Sequence, residues 1–223
     1  MGRLDPTLTI GAPAPGCRAV VFDLFGVLTR GQSRRGIEAM ARSFGVDRSS
    51  FLSAYWAERP DYDRGSVSGP EYWDRVARSL SRVIDRSEIE RLIVLDVDSW
   101  DRPEPSMVCF AETVSRSLLA AAILSNSPPE ITDRFRSYPW MAGFDRVVFS
   151  SDVGLVKPEP SIFEHVIAEL SVDPRDAVFI DDRVENIEAA AALGMRGVAF
   201  TTGETTPSDL AAFLHRGTIH GSM

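Results

Sequence analysis

Apolar positions along the chain follow two alternating patterns. Residues 19–25, AVVFDLF, form a run of β-branched and aromatic residues interrupted only by Asp23, and read as a strand buried on both faces. AAILS (121–125), RVVFS (146–150), AVFID (177–181) and GVAF (197–200) share that character. Between them the period lengthens. In SIFEHVIAEL (161–170), Ile162, Phe163, Val166, Ile167 and Leu170 fall on one helical face. RVENIEAAAALGM (183–195) is rich in alanine, with Gly194 placed to end a helix. PSDLAAFLHR (207–216) opens on Pro207 and Ser208, both helix-start signals. Strands alternating with helices predict an α/β fold with a parallel, Rossmann-like sheet.

Residues 31–100 break this rhythm. RRGIEAMARSFGV, SSFLSAYWAER, GPEYWDRVARSLS and SEIERLIVLDVDSW read as three or four helices with no strand between them. They are expected to form a helical cap inserted after the first strand, with DRPEP (101–105) marking the return to the sheet. The expected organisation is a loose tail over 1–17, a core over 18–30 and 101–223, and a cap over 31–100.

Composition narrows the function classes. The formal charge of −8 argues against nucleic acid or an anionic membrane as the main partner. No apolar run reaches the roughly 20 residues of a membrane span, and the first residues lack a long secretory segment. Two cysteines, Cys17 and Cys109, make no disulfide framework, so a reducing cytoplasm is expected. Of the 24 basic residues only Lys157 is lysine. Arginine bias alone accounts for that; so does a place where a point charge fits and a guanidinium fork does not.

In parallel α/β sheets ligands bind beyond the carboxyl ends of the strands. Asp23 stands at one such end, Ser125 and Asn126 at another, Asp181 and Asp182 at a third, and Lys157 in the loop GLVKPEP. A single polar residue there is ordinarily a turn former or a helix cap. Several in one zone suggest a site. Crowded carboxylates are hard oxygen ligands whose repulsion a cation relieves, which suits Mg²⁺. Ser125 and the backbone N–H of Asn126 are placed to hold a phosphoryl oxygen, and Lys157 to neutralise nucleophile and phosphate.

FDLFGVLT, ILSNSPPE, GLVKPEPSIFEHV and FIDDRVENIEAAAALGM, in this order around a helical insert, resemble the four motifs of the haloacid dehalogenase-like (HAD) hydrolase superfamily. The closest likeness is to its phosphatase branch with a helical, C1-type cap. That resemblance implies an Asp23 nucleophile forming an aspartyl-phosphate, Ser125 binding the phosphoryl group and Lys157 bridging the two. It further implies Mg²⁺ held by Asp23, Asp182, Asp181 (directly or through water) and the backbone carbonyl of Phe25, with Asn186 supporting the acidic pair. The implied substrate is a small phosphorylated metabolite; the oligomeric state is not legible.

One position departs from the family. Phosphatases of this kind usually carry Asp two residues after the nucleophile, as general acid, whereas this chain has Phe25. The loss of a positioned acid, typically about 10²–10⁴-fold in rate, points to slow turnover of alkyl phosphates and better turnover of aryl or acyl phosphates. Asp63 and Glu58 are candidates to supply the proton instead. Two other readings remain: a 2-haloacid dehalogenase-type hydrolase using Asp23 without metal, and a binding protein on an impaired enzyme scaffold. Adjacent Asp181 and Asp182 count against the first; the retained nucleophile, lysine and acidic pair count against the second. A phosphonate-cleaving relative would need a cap lysine, and the cap has none. In the cap, Trp56, Arg59, Tyr62, Asp63, Tyr72 and Trp73 are candidates to line a pocket, Arg59 pairing with an anionic substrate group. The simpler expectation for Trp56, Tyr72 and Trp73 is packing within the cap. Arg30, Arg34 and Arg35 are alternative anion contacts.

Overall fold

The computed structural model describes residues 13–216. A five-stranded parallel sheet has the order β3-β2-β1-β4-β5. Its strands are β1 (Ala19–Phe22), β2 (Ala120–Ser125), β3 (Arg146–Phe149), β4 (Ala177–Asp181) and β5 (Arg196–Ala199). Period-2 alternation sorts the strand side chains onto two faces. Val20, Phe22, Ala121, Ile123, Val178 and Ile180 belong to one apolar layer; Ala19, Val21, Ala122, Leu124, Ala177 and Phe179 belong to the other. The first face is covered by Phe110 and Val114 of α5 (Pro105–Ser115), Ile131 and Phe135 of α6 (Pro129–Arg136), and Leu210 and Phe213 of α10 (Pro207–Arg216). The second is covered by Ile162, Phe163 and Val166 of α8 (Pro160–Leu170) and Ala190 of α9 (Val184–Ala192). Burying a Val, Leu, Ile or Phe side chain completely contributes about 1.5–3 kcal/mol, so this doubly covered sheet is the main source of stability.

Between β1 and α5 lie four helices: α1 (Arg34–Phe44), α2 (Arg48–Asp63), α3 (Gly69–Ser79) and α4 (Arg86–Trp100). Local chemistry starts each of them. Ser33, Asp47, Ser68 and Asp85 cap the first-turn N–H groups, and Asp85 with Glu88 forms a reciprocal capping box. Their apolar faces meet in a separate cluster that includes Phe44, Phe51, Tyr55, Tyr62, Tyr72, Trp73 and Leu92. This helical layer docks on the sheet layer through Tyr62 Oη to Glu130 Oε2 (2.7 Å), Arg64 to Glu159 (2.5 Å) and Arg134 to Asp101 (2.5 Å). The Ser150 hydroxyl also donates to the Asp63 carbonyl. Gly65, at φ +75°, permits the α2–α3 turn to lie against the core: a Cβ there would stand 2.7 Å from the Ser151 carbonyl oxygen.

Three sequence expectations are corrected. The first strand ends at Phe22, not at residue 25; Asp23 donates its N–H to Ile180 O and the chain then turns through Gly26 at φ +90°. Ser150 opens the four-residue helix α7 (Ser150–Val153) instead of closing β3. The expected loose tail over 1–17 fails at its end, because Ala14 and Cys17 are buried and Ala14 N donates to Leu214 O (2.8 Å); residues 1–12 of that expectation lie outside the described ones. Among the described residues no helix is long and apolar enough to cross a membrane.

Candidate active site

The strand order reverses at β1, and the site lies at the carboxyl ends of the strands beside it. Asp23 follows β1, Asp181 ends β4 and Ser125 ends β2. Carboxylate oxygens of Asp23, Asp181 and Asp182 come within 4.8 Å of one another. The Lys157 ammonium, buried at 5% exposure, lies 2.7 Å from Asp23 Oδ1 and 2.7 Å from Asp181 Oδ2. Asn126 fixes the lysine's backbone: its Nδ2 donates to Lys157 O (2.9 Å), and its Oδ1 accepts from Lys157 N (2.8 Å). Asp181 is held further by Arg183 N (2.8 Å) and by Asn186 Nδ2 (3.0 and 3.1 Å to its two oxygens). Leu24 N donates to Asp23 Oδ1 (2.7 Å). Since the lysine uses the same oxygen, Oδ2 is the one available to a substrate.

The electrostatics are those of an anion-rich site short of positive charge. Burial pushes the Asp23 carboxyl from 3.8 up to about 7; Lys157 opposes the rise and Asp181 adds to it. Asp182 is raised as well, by burial and then by Asp181. For Lys157, burial acts downward, but Asp23 and Asp181 outweigh it and hold the ammonium above an ordinary lysine. Two buried polar atoms at the site, Ser125 Oγ and Asn186 Oδ1, have no hydrogen-bond partner among the described residues. A set of hard carboxylate oxygens around a raised pKa fits a divalent cation of the Mg²⁺ type.

A cavity of about 380 Å³ opens over these groups, lined by Asp23, Phe25, Asn126, Lys157, Asp182 and Asn186 from the sheet layer and by Trp56, Arg59, Asp63 and Trp100 from the helical layer. The expected residues sort unevenly. Ser125 is fully buried beneath the site. Arg59 reaches the cavity but is not a free cation: its Nε lies 2.6 Å from Asp63, its Nη1 3.2 Å from Asp96, and Tyr55 Oη also accepts from it. Tyr55, Trp56, Tyr62 and Trp100 rings surround the guanidinium at 5.1–5.9 Å. Tyr62, Tyr72 and Trp73 are packed within the helical layer, as is Tyr55, whereas Trp56, expected to pack, is 47% exposed at the cavity. Glu58 accepts from Ser79 (3.2 Å) and does not line the cavity, while Asp63 does. Arg30 and Arg34 pair with Glu104 and Glu38, and Arg35 is exposed outside the cavity lining. Phe25 is not a bare gap at the position where the resemblance implies an acid. Its ring packs on Trp100 (centroids 4.9 Å apart) and on Phe135 (5.5 Å).

Trp100 and Arg183 line the cavity without having been singled out in the sequence. Trp100 closes α4 directly before DRPEP, and an aromatic at the point where an insert rejoins the core is the available signal. Arg183 follows the acidic pair and carried no signal of its own.

A crevice at the turning point of a parallel sheet, with a buried lysine between carboxylates, is the arrangement of an α/β-class enzyme site. A match to the haloacid dehalogenase-like hydrolase family spans residues 17–194, and the chain belongs to that family. Among its relatives, a sesquiterpene phosphatase of Aspergillus oryzae is 24% identical over 86% of this chain and 94% of its own length. A drimenol cyclase of Aspergillus calidoustus is 26% identical over 82% of this chain, a match that spans 34% of the cyclase. Among solved structures, an HAD family enzyme of Bacteroides thetaiotaomicron superposes with a TM-score of 0.73 at 20% identity, covering 85% of this chain and 96% of that one. The same enzyme has been solved with magnesium and inorganic phosphate.

Proposed function

We propose that the protein is a magnesium-dependent phosphatase acting on a small phosphorylated molecule through an aspartyl-phosphate on Asp23. The observation that carries this reading is the Lys157 ammonium midway between Asp23 and Asp181, at 2.7 Å from each. A dehalogenase needs no third carboxylate, whereas Asp182 beside Asp23 and Asp181 is costly without a cation. The phosphatase among the relatives and the magnesium-bound neighbour support the same reading.

Asp23, Asp181, Asp182 and the Phe25 carbonyl are the groups that would hold Mg²⁺. Bound there, the ion supplies positive charge to the phosphoryl oxygens. Lys157 shields Asp23 from the phosphate it must approach, and the Ser125 hydroxyl is left without a protein partner for a phosphoryl oxygen. Asp23 Oδ2 attacks phosphorus and the bond from phosphorus to the leaving oxygen breaks. Water then attacks the aspartyl-phosphate and breaks its phosphorus–oxygen bond, releasing inorganic phosphate and restoring Asp23.

Phe25 carries no proton to give, and Asp63 is committed to Arg59. The leaving oxygen therefore departs with little protonation. Acetyl phosphate and 4-nitrophenyl phosphate should accordingly exceed ethyl phosphate in kcat/KM by about 10²-fold or more. Equal rates on all three, or rates indifferent to EDTA, would overturn the reading.

Gly26 provides a second test. Its φ is +90°, and a Cβ on it would stand 2.2 Å from Asp182 Oδ2. Gly26→Ala should push that carboxylate aside and raise the magnesium concentration for half-maximal activity by about 10–100-fold. Titration of activity with MgCl₂ reads this directly; an unchanged midpoint would remove Asp182 from the ion's ligands.

A further inference from the structure

Three side chains at the cavity are large, aromatic and contiguous. Phe25 lies 4.9 Å from Trp100, and Trp100 lies 6.2 Å from Trp56. Phe25 comes from the turn after β1, Trp56 from α2 and Trp100 from the end of α4, so the wall spans both layers. Trp56 has the most to explain. Its neighbours Tyr55, Tyr62, Tyr72 and Trp73 are at most 1% exposed, yet Trp56 is 47% exposed and lines the same cavity as the candidate nucleophile. Exposing that much aromatic surface at a concave site costs hydrophobic free energy that a bound apolar group would recover.

The charges point the same way. Each cation lining the cavity already has a carboxylate partner: Lys157 has Asp23 and Asp181, Arg59 has Asp63 and Asp96, and Arg183 has Glu185. A second anionic group on the substrate would find no unpaired cation among these lining residues.

Resting on the phosphatase reading, we infer that the preferred substrates are phosphate monoesters with an apolar, uncharged organic part, which lies on the wall formed by Phe25, Trp56 and Trp100. Phe25 then serves selection at the position where the family resemblance implies an acid. The volume of about 380 Å³ is in the range that encloses small organic groups.

A homologous series separates this wall from leaving-group effects, because ethyl, butyl and hexyl phosphate release alcohols of similar acidity. With MgCl₂ present, kcat/KM should rise about threefold per added methylene, carried mainly by KM. Hexyl phosphate should also exceed glucose 6-phosphate. Trp56→Ala should flatten the series, raising KM for hexyl phosphate about tenfold and for ethyl phosphate much less. A flat series, or a preference for glucose 6-phosphate, would overturn the proposal while leaving the phosphatase reading intact. If neither acetyl phosphate nor any ester is hydrolysed, the phosphatase reading fails. The wall is then judged by calorimetry with MgCl₂: hexylphosphonate must bind at least about tenfold more tightly than ethylphosphonate, and equal affinities overturn it.

Discussion

Asp23→Asn should abolish phosphate release, lowering kcat by about 10⁴-fold or more on every substrate the wild type accepts. The amide keeps the side chain's shape and accepts hydrogen bonds through one oxygen. It lacks the negative charge that the proposed attack on phosphorus needs, so no acyl-phosphate bond should form. Folding should survive. Burial already pushes the native carboxyl up to about 7, so removing that charge relieves repulsion from Asp181 and Asp182. A variant at least as stable as wild type, inactive in a phosphate-release assay and unlabelled after acid quench with a radiolabelled acyl phosphate, is the expected result. Retained turnover with a normal melting curve would show that another group attacks.

Lys157→Met should be the most destabilising single change at the site. The ammonium is buried between two carboxylates, and removing one partner of such an arrangement typically costs about 3–5 kcal/mol. The pH dependence has a definite sign. A carboxyl whose pKa is higher in the folded than in the unfolded chain binds more protons when folded, so stability falls as pH rises between the two values. For Asp23 in the wild type that window runs from 3.8 to about 7. Without the ammonium its upper edge moves higher, so the variant's deficit should widen from pH 5 to pH 8. Urea denaturation in EDTA at the two pH values measures it, and added MgCl₂ should recover part of the loss at pH 8. A deficit that stays flat or shrinks with pH would mean that the lysine does not balance these charges.

The strands and the polar residues at their ends were legible because both rest on local chemistry. Doubly buried parallel strands must be continuous apolar runs, and AVVF, AAAILS and AVFID are. The chain turns after Asp23 because Gly26 adopts a positive φ, which the run AVVFDLF concealed. α5 is masked in the sequence by the proline-rich DRPEP that it opens on, although Met107, Phe110, Ala111 and Val114 stand at helical spacing. Arg59 shows the deeper limit. Its partner Asp96 lies 37 positions away on another helix, and only packing of α2 against α4 reveals that its charge is already balanced. The same holds for Phe25. Its identity shows that it has no proton to give, but its contacts with Trp100 and Phe135, far along the chain, emerge only in the fold.

Every partner of the Arg59 guanidinium lies on α2 or α4: Asp63, Asp96, Tyr55 and the indoles of Trp56 and Trp100. The contacts holding that layer to the sheet are different ones: Tyr62 with Glu130, the Ser150 hydroxyl with the Asp63 carbonyl, Phe25 with Trp100, and the more exposed Arg64 with Glu159. The guanidinium thus braces α2 against α4 and, among the described residues, ties nothing to the sheet, so the ionic knot belongs to the helical layer alone.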